Sequence, residues 1–160
     1  MQFRVGIGYD VHPYAKGRRL VLGGVEIPSE LGLMGHSDAD VLSHAIADAV
    51  LGALGLPDIG FYFPPSNPDI EGISSLVILQ KAAELTKNAG YEIQNIDSSI
   101  IAEFPKVMPH AAAMKFNISK ALGITPEQVG VKATTNEKMG FVGRGEGMAA
   151  MASAALLKSV

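Results

Sequence analysis

Residues 38–54, DADVLSHAIADAVLGAL, constrain this chain most. Val41, Leu42, Ala45, Ile46, Ala49 and Val50 recur at helical spacing, which predicts a helix over this whole stretch. Ser37 lies three positions before Asp40 and resembles an N-cap. Within the helix, Asp40, His44 and Asp48 stand four apart and roughly share a face. A histidine among carboxylates in an otherwise apolar helix needs a reason. Its helical neighbours can simply hold it, half-buried, or it can complete a site with residues elsewhere.

The elsewhere is the N-terminus. FRVGIGYDVH reads as a strand running into a turn at Pro13. Residues i and i+2 of a strand point the same way, so Asp10 and His12 project together. Such a pair can be two metal ligands, an acid–base pair or a surface ion pair. With His44 they form two imidazoles and one carboxylate, the ligand set of an open catalytic zinc site. Asp48 or Asp40 can then orient the His44 ring. The residue pattern leaves the metal site and the structural histidine equally open.

The rest of the chain alternates. RRLVLGGVEIP predicts a hairpin with a Gly-Gly turn, and Gly32 and Gly35 predict a loop. LPDIGFYFPPSNPDIEG, rich in proline, predicts a long functional loop. Ser74 or Ser75 caps a second helix that Gly90 stops. IQNIDSSIIAEF predicts a strand with Ile96, Ser98 and Ile100 on one face. Pro109 opens a third helix bearing Met114, Ile118 and Leu122, and Thr125-Pro126 starts a single helical turn. VGVKATT predicts a strand and NEKMGFVGRGEG a glycine-rich loop. The tail MAAMASAALLKSV suits either helix or strand. With no repeat or linker in the 160 residues, the expectation is one α/β domain over 1–160.

Composition narrows function. The chain has no cysteine, so thiolate chemistry and disulfides are excluded, and a reducing cytoplasm is compatible. Net charge is −3 without a basic cluster, against broad nucleic-acid binding. No apolar run approaches a membrane span, and the start has no signal-peptide plan. The 48% hydrophobic content suits a packed core and hints at surface buried between subunits.

Two further stretches can bind anions. His36 and Ser37 precede the first helix, where free N–H groups and the helix dipole favour phosphate. Capping alone accounts for Ser37 but not for His36. In KATTNEKMGF, Thr134, Thr135 and Glu137 beside Lys132 or Lys138 can hold a phosphate together with a hard divalent cation. A charged surface turn accounts for the same residues. Lys106 can meet a phosphate or remain solvated, and His110, after a helix-starting proline, reads as structural. Arg144 sits between glycines that match neither a dinucleotide fingerprint nor a P-loop.

GYDVH, GGVEIP, GHSDADVLSHAIADAVLGALGLPDIG, NIDSSIIAEFPKVMPH and KATTNEKMGFVGRGEG occur in one order. Together they resemble the 2-C-methyl-D-erythritol 2,4-cyclodiphosphate synthase family of the non-mevalonate isoprenoid pathway, from about Phe3 to Leu157. The resemblance implies a metal-dependent phosphorus–oxygen lyase. It converts 4-diphosphocytidyl-2-C-methyl-D-erythritol 2-phosphate into the cyclic diphosphate and CMP. It implies zinc at Asp10, His12 and His44, and magnesium or manganese at Glu137. His36 and Thr135 become catalytic residues holding phosphoryl oxygens. Thr134 and Lys106 meet the cytidylyl end, and Ala102, Pro105 and Met108 belong to the substrate-binding set. Asp58 and Gly60 meet the methylerythritol, and Ile59 belongs to the substrate-binding set. Ser37, Phe63 and Asn67, with Asn136, Phe141 and Arg144, complete the substrate-binding set, and loop 63–67 closes over the substrate.

The resemblance also implies a mixed sheet with three main helices, a cytoplasmic homotrimer with active sites between subunits, and a C-terminal strand. No extension predicts fusion to the preceding cytidylyltransferase of the pathway. Pro65 and Asn67 depart from an acidic run common in relatives, and Met151 stands where relatives can carry an acid. Two other readings fit the same residues. One is a zinc phosphohydrolase. The other is a non-catalytic trimer binding diphosphates through Arg144 and an axial cavity.

Overall fold

Glycines 6 and 8 decide how the first strand meets the first helix. In the computed structural model, which describes residues 1–158, β1 is Gln2–Lys16 and α1 is Val41–Leu54. A Cβ on Gly6 would lie 2.0 Å from the Ala49 carbonyl oxygen, and one on Gly8 1.9 Å from that of Ala45. Any side chain there would strike helix backbone, which cannot swing aside as a flexible side chain does. Glycine therefore lets α1 lie directly on the strand. Leu42, Ile46 and Val50 are fully buried beneath it, each worth about 1.5–3 kcal/mol.

The remaining elements follow in order. β2 (Leu20–Leu22) and β3 (Val25–Ile27) form the expected hairpin, with Gly23 and Gly24 both at positive φ. Then come β4 (Leu31–Leu33), α1, the single turn α2 (Ile59–Tyr62) and α3 (Ser75–Asn88). β5 (Glu92–Ile101), α4 (Ala111–Leu122), β6 (Val129–Thr134), α5 (Gly140–Gly143) and β7 (Gly147–Lys158) complete the chain. The main sheet has the order β4-β1-β7-β5-β6. Only β5 and β6 pair in parallel, joined by a crossover through α4, so the sheet is mixed. The three longer helices are α1, α3 and α4, as the resemblance implies.

As far as Lys158, the last described residue, the ambiguous tail is a strand; Ser159 and Val160 lie outside the described residues. Met148, Ala150, Ala152, Ala154 and Leu156 alternate inward and are buried, a period of two rather than 3.6. Small alanines there leave room for α1, which packs across β1 and β7 alike. The opposite sheet face carries Phe3, Val5, Ile7, Tyr9, Val11 and Met151 in the open; Ile7 is 78% exposed. An apolar row of this extent on one sheet face is what a buried interface requires.

Three expectations need correction. Pro13 does not turn the chain; it lies within β1 opposite Gly147, and the reversal comes at Gly17, whose φ is +73°. The loop expected around Gly32 contains β4, which pairs with Tyr14–Lys16. Gly32 is needed there because a Cβ would meet the Arg18 carbonyl oxygen at 2.3 Å. Finally, α1 begins at Val41 rather than 38, and its cap is Asp40, not Ser37. The Asp40 carboxylate accepts from Ser43 N–H at 3.0 Å and from Gly23 and Gly24 N–H at 2.9 and 2.8 Å. It thereby caps the helix and pins the hairpin turn at once. Ser74 is the cap of α3, and Pro109 enters α4 through one 3-10 turn.

Candidate metal centre

Gly6, Gly8, Asp10 and His12 share the inner face of β1. The glycines seat α1, and the seated helix delivers His44 to the acid and imidazole beyond them. Asp10 Oδ2 lies 3.0 Å from His12 Nε2 and 3.0 Å from His44 Nδ1. The two ring nitrogens are 3.2 Å apart. Among the described residues this is the group of acids and histidines able to hold a metal ion, with all three donor atoms within 4.8 Å of one another.

The surroundings orient the rings. His12 Nδ1 lies 2.7 Å from the Met34 carbonyl, to which it donates, leaving the Nε2 lone pair facing the cluster. His44 Nε2 points away from the cluster, 2.8 Å from Ser75 Oγ and 3.2 Å from Ser37 Oγ. Ser75 N–H donates to Asp38 Oδ2 at 2.9 Å and its hydroxyl donates to Asp38 Oδ1. The expected orienting roles of Asp40 and Asp48 are therefore corrected. Asp40 spends its oxygens on the cap, and Asp48 accepts from the Ile59 N–H at 2.9 Å.

Burial by itself would raise the Asp10 carboxyl, but hydrogen bonds and charge from His12 and His44 outweigh it and hold Asp10 well below the carboxylate range. Burial likewise would lower His44, and the hydrogen bond and charge of Asp10 more than reverse that. The cluster thus holds negative charge on Asp10 ready for a cation. Two imidazoles and a carboxylate converging on one point fit a divalent, zinc-type ion once the ring nitrogens facing that point have given up their protons.

A cavity of about 340 Å³ opens over this centre. His36, Ser37, Ile59, Gly60 and Phe63 line it with the three metal-type ligands, and so does Pro65. Asn67 lines an adjoining cavity that shares His36 and Pro65. Its side chain accepts from the Asp69 N–H at 3.0 Å and so stiffens the loop. Asp58 is exposed at the start of α2.

The remaining residues gather elsewhere. Ala102, Pro105, Lys106, Met108, Thr134 and Thr135 line a separate cavity of about 440 Å³ at the ends of β5 and β6, with no lining residue in common with the first. Glu137 follows in an exposed turn at φ +51°, its carboxylate 3.5 Å from Thr135 Oγ1. Lys132, on the outer sheet face, is paired with Asp97. Asn136 Nδ2 donates to Met139 O at 2.8 Å, Phe141 lies in α5, and Arg144 pairs with Glu146 at 2.6 Å.

Sequence reasoning missed several supporting residues. Glu103 Oε1 accepts from Asn136 N–H at 2.9 Å and Lys138 N–H at 3.2 Å, bracketing Glu137. Arg18 donates to the carbonyls of Leu33, Gly35 and Ser37, folding the segment that carries His36. Asp38 and Ser75 sit behind His44. These are single polar residues in turns or at helix starts, and no spacing rule marks them.

Comparison with known proteins supports a common ancestry for this arrangement. A family model described as the YgbB family matches residues 3–157. The 2-C-methyl-D-erythritol 2,4-cyclodiphosphate synthase of Nostoc sp. is 55% identical over 99% of this chain and 96% of its own length. The bifunctional IspDF of Campylobacter jejuni superposes with a TM-score of 0.93 at 41% identity; the match covers 97% of this chain and 42% of that one. A CDP complex of IspF from Plasmodium falciparum gives a TM-score of 0.86 at 35% identity, over 99% of this chain and 97% of that one.

Proposed function

The chain belongs to the YgbB family, and from that premise we propose that it performs the cyclodiphosphate synthase reaction named for its relatives, at a site centred on Asp10, His12 and His44. The substrate is 4-diphosphocytidyl-2-C-methyl-D-erythritol 2-phosphate. An oxygen of its 2-phosphate attacks the β-phosphorus. The bond from that phosphorus to the bridging oxygen breaks, and CMP leaves with the electron pair on its α-phosphate. The products are 2-C-methyl-D-erythritol 2,4-cyclodiphosphate and CMP.

No protein nucleophile is needed, because the attacking phosphate is already ionised near neutral pH. The protein's contribution is alignment and charge neutralisation, the main terms in phosphoryl transfer. Asp10, His12 and His44 would hold a zinc-type ion and Glu137 would meet magnesium or manganese, which supply Lewis-acid charge to phosphoryl oxygens. His36 and Thr135 hold the phosphoryl oxygens of the reacting group, with Ser37 beside them. Asp58, Ile59, Gly60 and Phe63 grip the methylerythritol, and Asn67 stiffens the loop that covers it. Thr134, Lys106, Ala102, Pro105 and Met108 take the cytidylyl end, and Asn136, Phe141 and Arg144 complete the set.

The residues expected for the two ends of one substrate line two separate cavities of the single chain. A homotrimer in which the metal half of one subunit meets the cytidylyl half of the next reconciles them. The exposed row from Phe3 to Val11 supplies an apolar face for such assembly. Among the described residues no helix is long and apolar enough to cross a membrane, and residues 1–160 act as one domain in the cytoplasm.

The observation that carries the proposal is the convergence of Asp10, His12 and His44 beneath a cavity of about 340 Å³ that His36 and Ser37 also line. Phosphorus NMR of the protein with substrate and magnesium tests it. The expected result is a cyclic diphosphate with CMP, lost on chelation and restored by zinc. A linear hydrolysis product would replace this reading with that of a phosphohydrolase.

A further inference from the structure

His44 reaches beyond the metal centre through its second ring nitrogen. Nε2 lies 2.8 Å from the Ser75 hydroxyl, and both residues are buried. The Ser75 hydroxyl donates to Asp38 Oδ1, and the Ser75 N–H donates to Asp38 Oδ2 at 2.9 Å. The Asp40 N–H adds a third donor to the same carboxylate at 3.2 Å. An ionised carboxylate only accepts, so the Ser75 proton is committed to Asp38. What Ser75 then offers His44 is a lone pair. Nε2 must carry the ring hydrogen, and Nδ1, beside Asp10, must carry the lone pair that a metal needs.

The same aspartate closes the base of the segment over the cavity. The Asp38 N–H donates to Ile73 O at 3.1 Å, and the Gly72 N–H donates to His36 O at 2.8 Å. These two bonds clip residues 36–38 to 72–73. The Asp38 carboxylate fastens the clip to the first residue of α3. Segment 63–74 lies between this clip and α2, and its Phe63, Pro65, Ile70 and Ile73 line the metal cavity.

We infer that Asp38 and Ser75 form one positioning device, which fixes His44 as the Nε2–H tautomer for a divalent ion and ties the base of segment 63–74 to the metal centre. The inference rests on the reading of Asp10, His12 and His44 as metal ligands. Neither Asp38 nor Ser75 touches the ion or the substrate. The consequence is linkage: an ion that draws on His44 Nδ1 polarises the Nε2–H bond to Ser75, and with it the Ser75–Asp38 bond. Ion binding and clip closure therefore favour one another, reciprocally.

The test uses the full chain, zinc ions and a competing chelator, and needs no turnover. Three readouts are followed: zinc affinity, hydrogen exchange of the Gly72 and Asp38 amides, and nitrogen-15 NMR of the His44 ring. The parent is expected to bind zinc, to show Nε2–H on His44 and to exchange both amides more slowly with zinc than without. Ser75→Ala should weaken zinc binding by about 10- to 100-fold and remove the zinc dependence of exchange, while the backbone clip persists. Asp38→Ala should weaken zinc binding similarly and release both amides even without zinc. A neutral His44 ring bearing hydrogen on Nδ1 in the metal-free parent overturns the inference, as does exchange indifferent to zinc; neither depends on a variant folding. Zinc affinity within about twofold of parent in folded Ser75→Ala overturns it as well. A parent that binds no divalent ion removes the metal reading itself, an outcome distinct from a parent that binds while the variants match it.

Discussion

At Asp10 and His44, protons and a metal ion compete for the same atoms. Without metal, Asp10 sits below its ordinary 3.8 and His44 above its ordinary 6.5. The depressed Asp10 contributes stability that is present above about pH 4 and lost as pH falls through its folded value. The raised His44 contributes stability that is present below about pH 6.5 and lost as pH rises through its folded value. Metal-free protein is therefore expected to lose stability on both sides of a mildly acidic window, as denaturation across pH will read. Zinc needs His44 without its Nδ1 proton, so its affinity runs the other way. It should rise by roughly tenfold per pH unit until the raised His44 value is passed, then level off, as chelator competition across pH will show.

Glu103 is the other decisive residue. Glu137 and Lys138 both stand at positive φ, an unfavourable backbone for side-chain-bearing residues, and Glu103 accepts from the Asn136 and Lys138 N–H groups. Glu103→Ala should relax this turn and misplace Glu137. Turnover is expected to fall by roughly tenfold or more, about 1.4 kcal/mol of barrier, with zinc affinity at the Asp10 cluster unchanged. A loss of zinc affinity as large as the loss of turnover would show that the turn does not act separately.

Among the elements, the seating of α1 on β1 matters most. Gly8→Ala would place a methyl group 1.9 Å from the Ala45 carbonyl oxygen, next in sequence to His44. The helix must lift, at a cost of about 3 kcal/mol or more, and His44 lifts with it. Urea denaturation and zinc titration should both register the change. Retained zinc affinity with lowered stability would mean that the helix slides rather than lifts. Gly52→Ala is the control, because its Cβ would meet nothing closer than the Ile7 carbonyl oxygen at 3.5 Å. That substitution is expected to be neutral to stabilising by up to about 1 kcal/mol.

For the molecule as a whole, the two disjoint cavities make a prediction about mixing. On the proposed function, His44→Ala damages the metal half-site and Lys106→Ala the cytidylyl half-site. If each active site takes one half from each of two neighbours, co-refolding the two inactive variants restores some intact sites. Random assembly puts an undamaged metal half beside an undamaged cytidylyl half in about a quarter of sites, so activity should recover toward that fraction. If both halves served one chain, mixing would restore nothing. Ile7→Lys, on the exposed sheet face, should abolish assembly and turnover while sparing zinc binding, as sedimentation and titration would show.

Local pattern made much of this legible in advance. Helical spacing marked α1, α3 and α4, and glycine pairs marked the hairpin. The i, i+2 placement of Asp10 and His12 put both on one face, because a strand alternates whatever surrounds it. The motif blocks identified the family. What the sequence left undecided depended on partners distant along the chain. The tail became a strand because β1 and β5 offered it two edges and its small inward alanines let α1 pack across it. Ser37 yielded the cap to Asp40 because the hairpin turn supplied two further donors. His44 found its orienting group in Ser75 and Asp38 rather than in Asp40 or Asp48, since α3 starts beside α1. Residue type and period are written along the chain, but convergence requires the chain to be closed, and only the packed tertiary structure closes it.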